Sequence, residues 1–260
     1  MPLPRLQLFE LNDHPAVPRA LRETIVDALT LTLKWGHILD GLVDPLLAFA
    51  RASRVSSLLD LASGAGGPAD VIASALERRG ERLDLLLTDL FPRVDPWRAL
   101  TRRHPGVVDY VAAPVDATCI PEALTRGRAR VIINAFHHLP PSLARGVVAD
   151  AIRARSPLFI SEGFERNPLR FLPFSAAGIA ALLASPVLAE RDRLARAWLV
   201  WGTPIALAAS AWDGIVSTMR VYTEAELREM TAGSDTHTWT YGTYDFAPFG
   251  RGTYFYGVPR

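Results

Sequence analysis

The sequence predicts an α/β protein built on an open sheet of parallel strands. Short aliphatic runs at 55–61, 83–87, 131–135 and 158–161 alternate with stretches of helical periodicity. These runs are apolar at consecutive positions, as strands covered on both faces are. The first of them leads straight into a glycine-rich turn and a helix, the pattern of a strand–turn–helix unit.

Each element follows from local residue patterns. Residues 16–52 read as helical. Leu21, Ile25, Ala28 and Leu29 recur at helix spacing, with Trp35 close to that face, and Gly36 interrupts them. A second stripe uses Leu39, Leu42, Val43, Leu46, Leu47 and Phe49, with Pro45 at a break or in a first turn. The first strand, 55–61, is followed by the turn 63–68 and a helix over 69–79. The strand 83–87 ends in Thr88-Asp89, and a helix follows over 96–103. Residues 107–113 are a strand. The strand 131–135 ends at Phe136-His137-His138, and a helix covers 142–153. The strand 158–161 ends at Glu162. Thr223 and Glu226 form a capping box that starts a helix within 222–231. Residues 236–244 alternate as a half-buried strand does, and 252–258 repeat the style, which predicts an antiparallel hairpin on the sheet edge. The organisation expected is a helical leader over 1–54 and a sheet domain over 55–260, with an apolar helical insertion at about 168–214.

Composition narrows the classes. Of 260 residues 49% are hydrophobic and 21% charged, too apolar and too balanced for a disordered chain. The net charge of +1 speaks against a nucleic-acid partner. The single cysteine, Cys119, excludes an internal disulfide framework. Lys34 is the only lysine among 28 basic residues, so arginine pairs such as Arg78-Arg79 and Arg102-Arg103 read as solvated surface. The start Met1-Pro2-Leu3-Pro4-Arg5 lacks a secretory pattern, and the expected compartment is cytoplasmic.

The apolar residues concentrate late in the chain. Residues 171–189 carry no charge, 190–196 are highly charged, and 197–212 are again uncharged. Pro173 and Pro186 lie near the ends of the first stretch, and Gly202-Thr203-Pro204 divides the second. Both read as buried or interfacial helices, usable as a lid over a lipophilic substrate or as a homodimer contact. A membrane hairpin is the less favoured alternative.

The segment Leu58-Leu59-Asp60-Leu61-Ala62-Ser63-Gly64-Ala65-Gly66-Gly67-Pro68-Ala69 carries the most chemistry. Glycines let a ligand approach the backbone, and the helix N-terminus offers unpaired N–H groups. Gly64 to Ala69 formally matches a dinucleotide fingerprint, with alanine at the third glycine position. The other reading is a loop for S-adenosylmethionine (SAM). Asp60 at the lip favours it, because a carboxylate repels a pyrophosphate and suits the cationic aminoacyl end of SAM. A leader of more than 50 residues ahead of the loop also departs from dinucleotide folds. Asp89 would accept from ribose hydroxyls in either reading, and Asp116 from an adenine amino group.

Together these residues resemble the class I SAM-dependent methyltransferases. The matching pieces are 58–68, Leu87-Thr88-Asp89-Leu90-Phe91-Pro92, Pro114-Val115-Asp116-Ala117 and Asn134-Ala135-Phe136-His137-His138-Leu139-Pro140. Trp212-Asp213-Gly214, Ser217, Arg220 and Tyr222-Thr223 through Leu227 look like the family's entry to its last helix. The Leu8-Phe9-Glu10 leader and the late segments are similar to a group of bacterial methyltransferase-like proteins. The resemblance implies a doubly wound, mostly parallel seven-stranded sheet with an antiparallel final hairpin. It also implies SAM held by Asp60, Ala62, Gly64, Gly66, Asp89, Leu90, Asp116, Ala117 and Asn134. The family usually has glycine where Ala62 stands, and alanine fits if its backbone angles stay in an ordinary region.

Methyl transfer asks mainly for positioning and water exclusion, and for a base only when the acceptor must lose a proton. His137, His138 and Glu162 are the catalytic candidates. Glu165, Trp212, Arg220 and Tyr222 are candidates for the acceptor pocket, with Arg220 either clamping an anion or pairing with Asp213. Adjacent histidines on an extended segment point apart, so no metal site is expected. The reading is a methyltransferase for a small apolar or aromatic acceptor. The alternatives are an NAD(P)-dependent oxidoreductase on a related sheet and a non-catalytic binding module.

Overall fold

The computed structural model describes residues 3–12, 14, 16–167, 169 and 171–260. Met1 and Pro2, and the side chain of Pro173, lie outside the described residues. The elements in chain order are α1 (Arg19–Trp35), α2 (Val43–Ser53), β1 (Ser57–Asp60), α3 (Gly67–Arg78), β2 (Asp84–Leu87), α4 (Val94–Arg103) and β3 (Val108–Tyr110). They continue with α5 (Glu122–Thr125), β4 (Ala129–Ile133), α6 (Pro141–Arg153), β5 (Leu158–Glu162), α7 (Leu172–Leu188), α8 (Arg193–Ala197) and α9 (Ile205–Arg220). The last are α10 (Glu224–Thr231), β6 (His237–Phe246) and β7 (Gly250–Pro259).

One seven-stranded sheet has the order β3-β2-β1-β4-β5-β7-β6. The pairs β1–β2, β1–β4, β2–β3 and β4–β5 are parallel, and β5–β7 is antiparallel. The strand order reverses at β1, between β2 and β4, the place where open α/β sheets bind ligands at their carboxyl ends.

The chain divides into two compact units. The sheet unit comprises Leu39–Gly163, Tyr222–Tyr244 and Gly252–Arg260. The helical unit comprises Met1–Ile38, Phe164–Val221 and Asp245–Arg251. The leader is thus shared: α1 falls in the helical unit and α2 in the sheet unit. The division follows Gly36, where α1 ends and where a Cβ would meet Ile38 Cγ1 and Thr32 O, each at 2.9 Å. Pro45 sits in the first turn of α2, where its missing N–H costs no helical bond.

In the sheet unit every residue of β4 and β5 is buried, which explains their unbroken apolar runs. Leu59, Ile132, Val148, Leu158 and Phe255 form the centre of that core. Ser161 and Glu162 end β5, and within β4 one residue breaks the pattern. Arg130 on β4 is almost wholly enclosed, and its NH1 donates to Asp150 of α6 at 2.7 Å. Arg153 pairs with the same carboxylate. Burial pulls the Arg130 guanidinium below its usual value, and Asp150 opposes that shift.

In the helical unit α1 packs on α7, and Leu21, Ile25, Ala28, Leu182, Ala206 and Ala209 form a separate core. The N-terminal segment is tied to α9. Leu6 N donates to Met219 O at 3.1 Å, and Leu11 N and Asn12 N donate to the two carboxylate oxygens of Asp213. Among the described residues no single helix is long and apolar enough to cross a membrane.

Candidate cofactor and active site

The site is built from strand ends of the sheet unit. β1 ends at Asp60, and the turn behind it is pinned on several sides. Thr88 Oγ1 donates to Asp60 O at 2.8 Å, Ser63 N to Thr88 O at 3.0 Å, and Trp97 Nε1 to Gly64 O at 2.9 Å. Gly66 has φ +82°, and a Cβ there would lie 2.3 Å from Leu100 Cδ1, so glycine is required on both counts. The condition set for Ala62 is not met. Its φ is +58°, in the left-handed region where most of the cost comes from the Cβ. The loop takes this left-handed conformation with an alanine in it, because the hydrogen bonds of Leu61 N and Ser63 N on either side of Ala62 fix its path.

Asp60 is buried. Burial pushes its carboxyl up from 3.8 to about 7, the Ser63 hydroxyl acts against that rise, and the charge of Asp89 adds to it. Asp89 lies one strand over, half-buried, and its two oxygens accept from Gly64 N and Phe91 N, both at 2.8 Å. It therefore ties the glycine turn to the end of β2 while keeping further lone pairs for a ligand. Leu90, beside it, is exposed. Asp116 follows β3 on the surface, next to the half-buried Ala117, and accepts from Thr118 N and Thr118 Oγ1 at 2.8 and 2.7 Å. These bonds hold its carboxyl below the usual value.

Beyond β4, Asn134 takes a left-handed conformation at φ +55°, and its Oδ1 accepts from Gly163 N at 2.6 Å. This joins the ends of β4 and β5. His137 and Glu162 form a buried pair there. Glu162 accepts from His137 N at 2.9 Å and meets His137 Nδ1 at 2.8 Å. When Nδ1–H donates to Glu162, the ring's lone pair lies on Nε2. The histidines do not point apart. Residues Phe136–His138 form a 3₁₀ turn rather than an extended segment, and the two rings lie 4.3 Å apart between centroids, 35° from parallel.

The acceptor candidates fall in both units. Tyr222 is in the sheet unit, buried against Phe136, with its hydroxyl donating to Leu139 O at 2.7 Å. Glu165, Trp212 and Arg220 are in the helical unit. Glu165 is half-buried. Trp212 Nε1 donates to Phe9 O at 3.0 Å. Arg220 is buried and pairs with Glu10 at 2.9 Å, and the Asp213 carboxylate accepts from the backbone of Leu11 and Asn12. Sequence reasoning did not identify Trp97, Ser63 or Thr88 as supports of the glycine turn. Nothing in the local pattern marks a tryptophan on a separate helix as a partner of a turn carbonyl.

No protein-family model matches the chain. No curated protein matches it either. Solved structures do. The methyltransferase domain of the bacterial CtHen1-C has a TM-score of 0.51 at 7% identity, over 85% of this chain and 98% of that one. The S-adenosylmethionine-dependent methyltransferase SibL has a TM-score of 0.50 at 14% identity, over 84% of this chain and 55% of its own. The CurJ carbon methyltransferase has a TM-score of 0.50 at 12% identity, over 89% of this chain and 57% of its own. This chain spans little more than half the length of the latter two. The shared feature is the fold, a mostly parallel seven-stranded sheet of the class I methyltransferase type.

Proposed function

We propose that the chain is a SAM-dependent methyltransferase acting on a small apolar or aromatic molecule. One observation carries the reading: successive strand ends around the glycine turn each present a carboxylate, at Asp60, Asp89 and Asp116, and the innermost is buried. SAM offers a matching series of donors in its ammonium, ribose hydroxyls and adenine amino group. A dinucleotide would instead set its pyrophosphate against Asp60 and Asp89.

In this reading Asp60 pairs with the ammonium group. Gly64 and Gly66 admit the ligand to the backbone beside Ala62, and Asp89 accepts from the ribose. Leu90 and Ala117 cover the base, and Asp116 takes its amino group. Asn134 braces β4 against β5. When bound, SAM supplies an electrophilic methyl group for in-line displacement. His137, held by Glu162 at both its backbone N–H and its ring, accepts a proton from a phenol or enol acceptor, with the tilted His138 ring beside it. Glu165 and Trp212 are proposed acceptor contacts. Arg220 and Tyr222 act by holding their own segments, since their polar groups are engaged by Glu10 and Leu139.

Calorimetry with SAM, S-adenosylhomocysteine and NADH tests the proposal. One-site binding of the first two and none of NADH is expected. No heat at millimolar SAM would overturn it.

A further inference from the structure

We propose that the helical unit seats on the surface of a zwitterionic phospholipid bilayer without crossing it. The sequence stretches 171–189 and 197–212 carry no charge, and the structure turns many of their large side chains outward. On α7, Ile179, Leu183 and Val187 are exposed, and on α9, Ile205, Leu207 and Ile215. Between them Leu194 is 88% exposed, Trp198 67% and Trp201 57%. Together these side chains expose on the order of 1,000 Å² of apolar surface, and Trp201 Nε1 reaches Leu183 O at 3.0 Å, so the α7 residues and the vertex adjoin.

Three features select a lipid surface. First, the segment Arg193–Gly202 meets Ile205–Arg220 at 79°, with the uncharged Gly202-Thr203-Pro204 at the vertex. A projecting apolar corner enters a fluid layer without needing a complementary cavity. α7 rises about 26 Å, short of the roughly 30 Å hydrocarbon core, so the seat is interfacial.

Second, four polar side chains along these stretches bond to backbone carbonyls of the same stretches, whereas the buried Ser210 Oγ has no such bond. Ser175 donates to Phe171 O, Ser185 to Leu182 O, Trp201 Nε1 to Leu183 O and Thr203 to Leu199 O. A medium without water demands such pairing. Third, the exposed charges between the two stretches alternate: Glu190, Arg191, Asp192 and Arg193. Two of each sign complement a headgroup that itself carries a phosphate and a quaternary ammonium. They give no preference for an anionic surface.

The test is flotation of the purified chain with phosphatidylcholine vesicles at 0.1 and 1 M salt, with sedimentation velocity in their absence. The chain is expected to float at both salt concentrations. The paired substitution Leu194→Glu and Trp198→Glu is expected to lower the bound fraction about tenfold or more with an unchanged circular dichroism spectrum. Vesicles brominated on the acyl chains provide a reading that needs no variant, because quenching of tryptophan fluorescence in the unaltered chain is expected. Absence of flotation, absence of quenching, or full flotation of the folded variant would overturn the proposal. So would a dimer that the variant dissociates while the unaltered chain ignores vesicles; that result would assign the face to a second copy.

Discussion

Replacing Asp60 by asparagine tests the electrostatics of the cofactor lip. Its carboxyl stands at about 7 in the folded chain against 3.8 ordinarily. At about 1.4 kcal/mol per tenfold change in proton affinity, keeping it ionised at high pH costs about 4 kcal/mol of folding stability. The native state binds this proton more tightly than the unfolded chain does. The group's contribution is therefore intact below pH 4 and is lost as pH rises through about 7. Asparagine keeps the shape without the charge. Urea unfolding at pH 5 and pH 8 should show the stability advantage of Asp60→Asn growing by about 2–3 kcal/mol between the two. Binding runs the other way, because a cationic ligand needs the ionised form. The affinity of the unaltered chain for S-adenosylhomocysteine should fall about tenfold from pH 8 to pH 6 by the same linkage. That of Asp60→Asn should be weak at both. Parallel stability curves for the two proteins, or an affinity that ignores pH, would refute a near-neutral buried carboxylate at this position.

Other substitutions test neighbouring parts of the site and core. Asp89→Ala removes the acceptor of Gly64 N and Phe91 N together with the proposed ribose contact, so calorimetry should show an affinity lower by about tenfold or more. Unchanged affinity would place the ligand elsewhere. Ala62→Gly relieves about 1–2 kcal/mol of left-handed strain and gives back about 0.4–1 kcal/mol in chain entropy. A small rise in the urea midpoint is expected, and a fall would contradict the strain. Arg130→Met leaves Asp150 with only the more exposed Arg153, and a loss of about 3–5 kcal/mol is expected. The double variant Arg130→Met with Asp150→Leu should recover most of it.

Legibility in the sequence followed physical distance along the chain. Signals between near neighbours survived: the aliphatic runs of β1, β2, β4 and β5, the glycine turn, and the capping box in which Glu226 reaches Thr223 N at 2.8 Å. Features that depend on distant partners did not. Arg130 lies just ahead of the aliphatic run 131–135, and Asp150, twenty residues on, explains its burial. The surface reading does fit Arg78 and Arg79, which meet Asp40 and Asp44 in open ion pairs. Ala62 stands out in the sequence as an alanine in a glycine position, but its positive φ follows from the bonds around it. The histidine rings lie together because Phe136–His138 form a 3₁₀ turn, which these three residues alone do not distinguish from an extended segment. The late apolar stretches were recognised as unusual. Which of their residues face outward depends on the packing of α1 and α9 against α7, which local periodicity does not encode.

The central claim is methyl transfer from SAM at the carboxyl ends of β1, β2, β4 and β5. Its most direct test is incubation of the purified chain with methyl-labelled SAM and a metabolite extract, followed by identification of the labelled product. Label in a small apolar or aromatic molecule, lost with Asp89→Ala, is the predicted result. A chain that binds SAM yet transfers no label to any acceptor would contradict it.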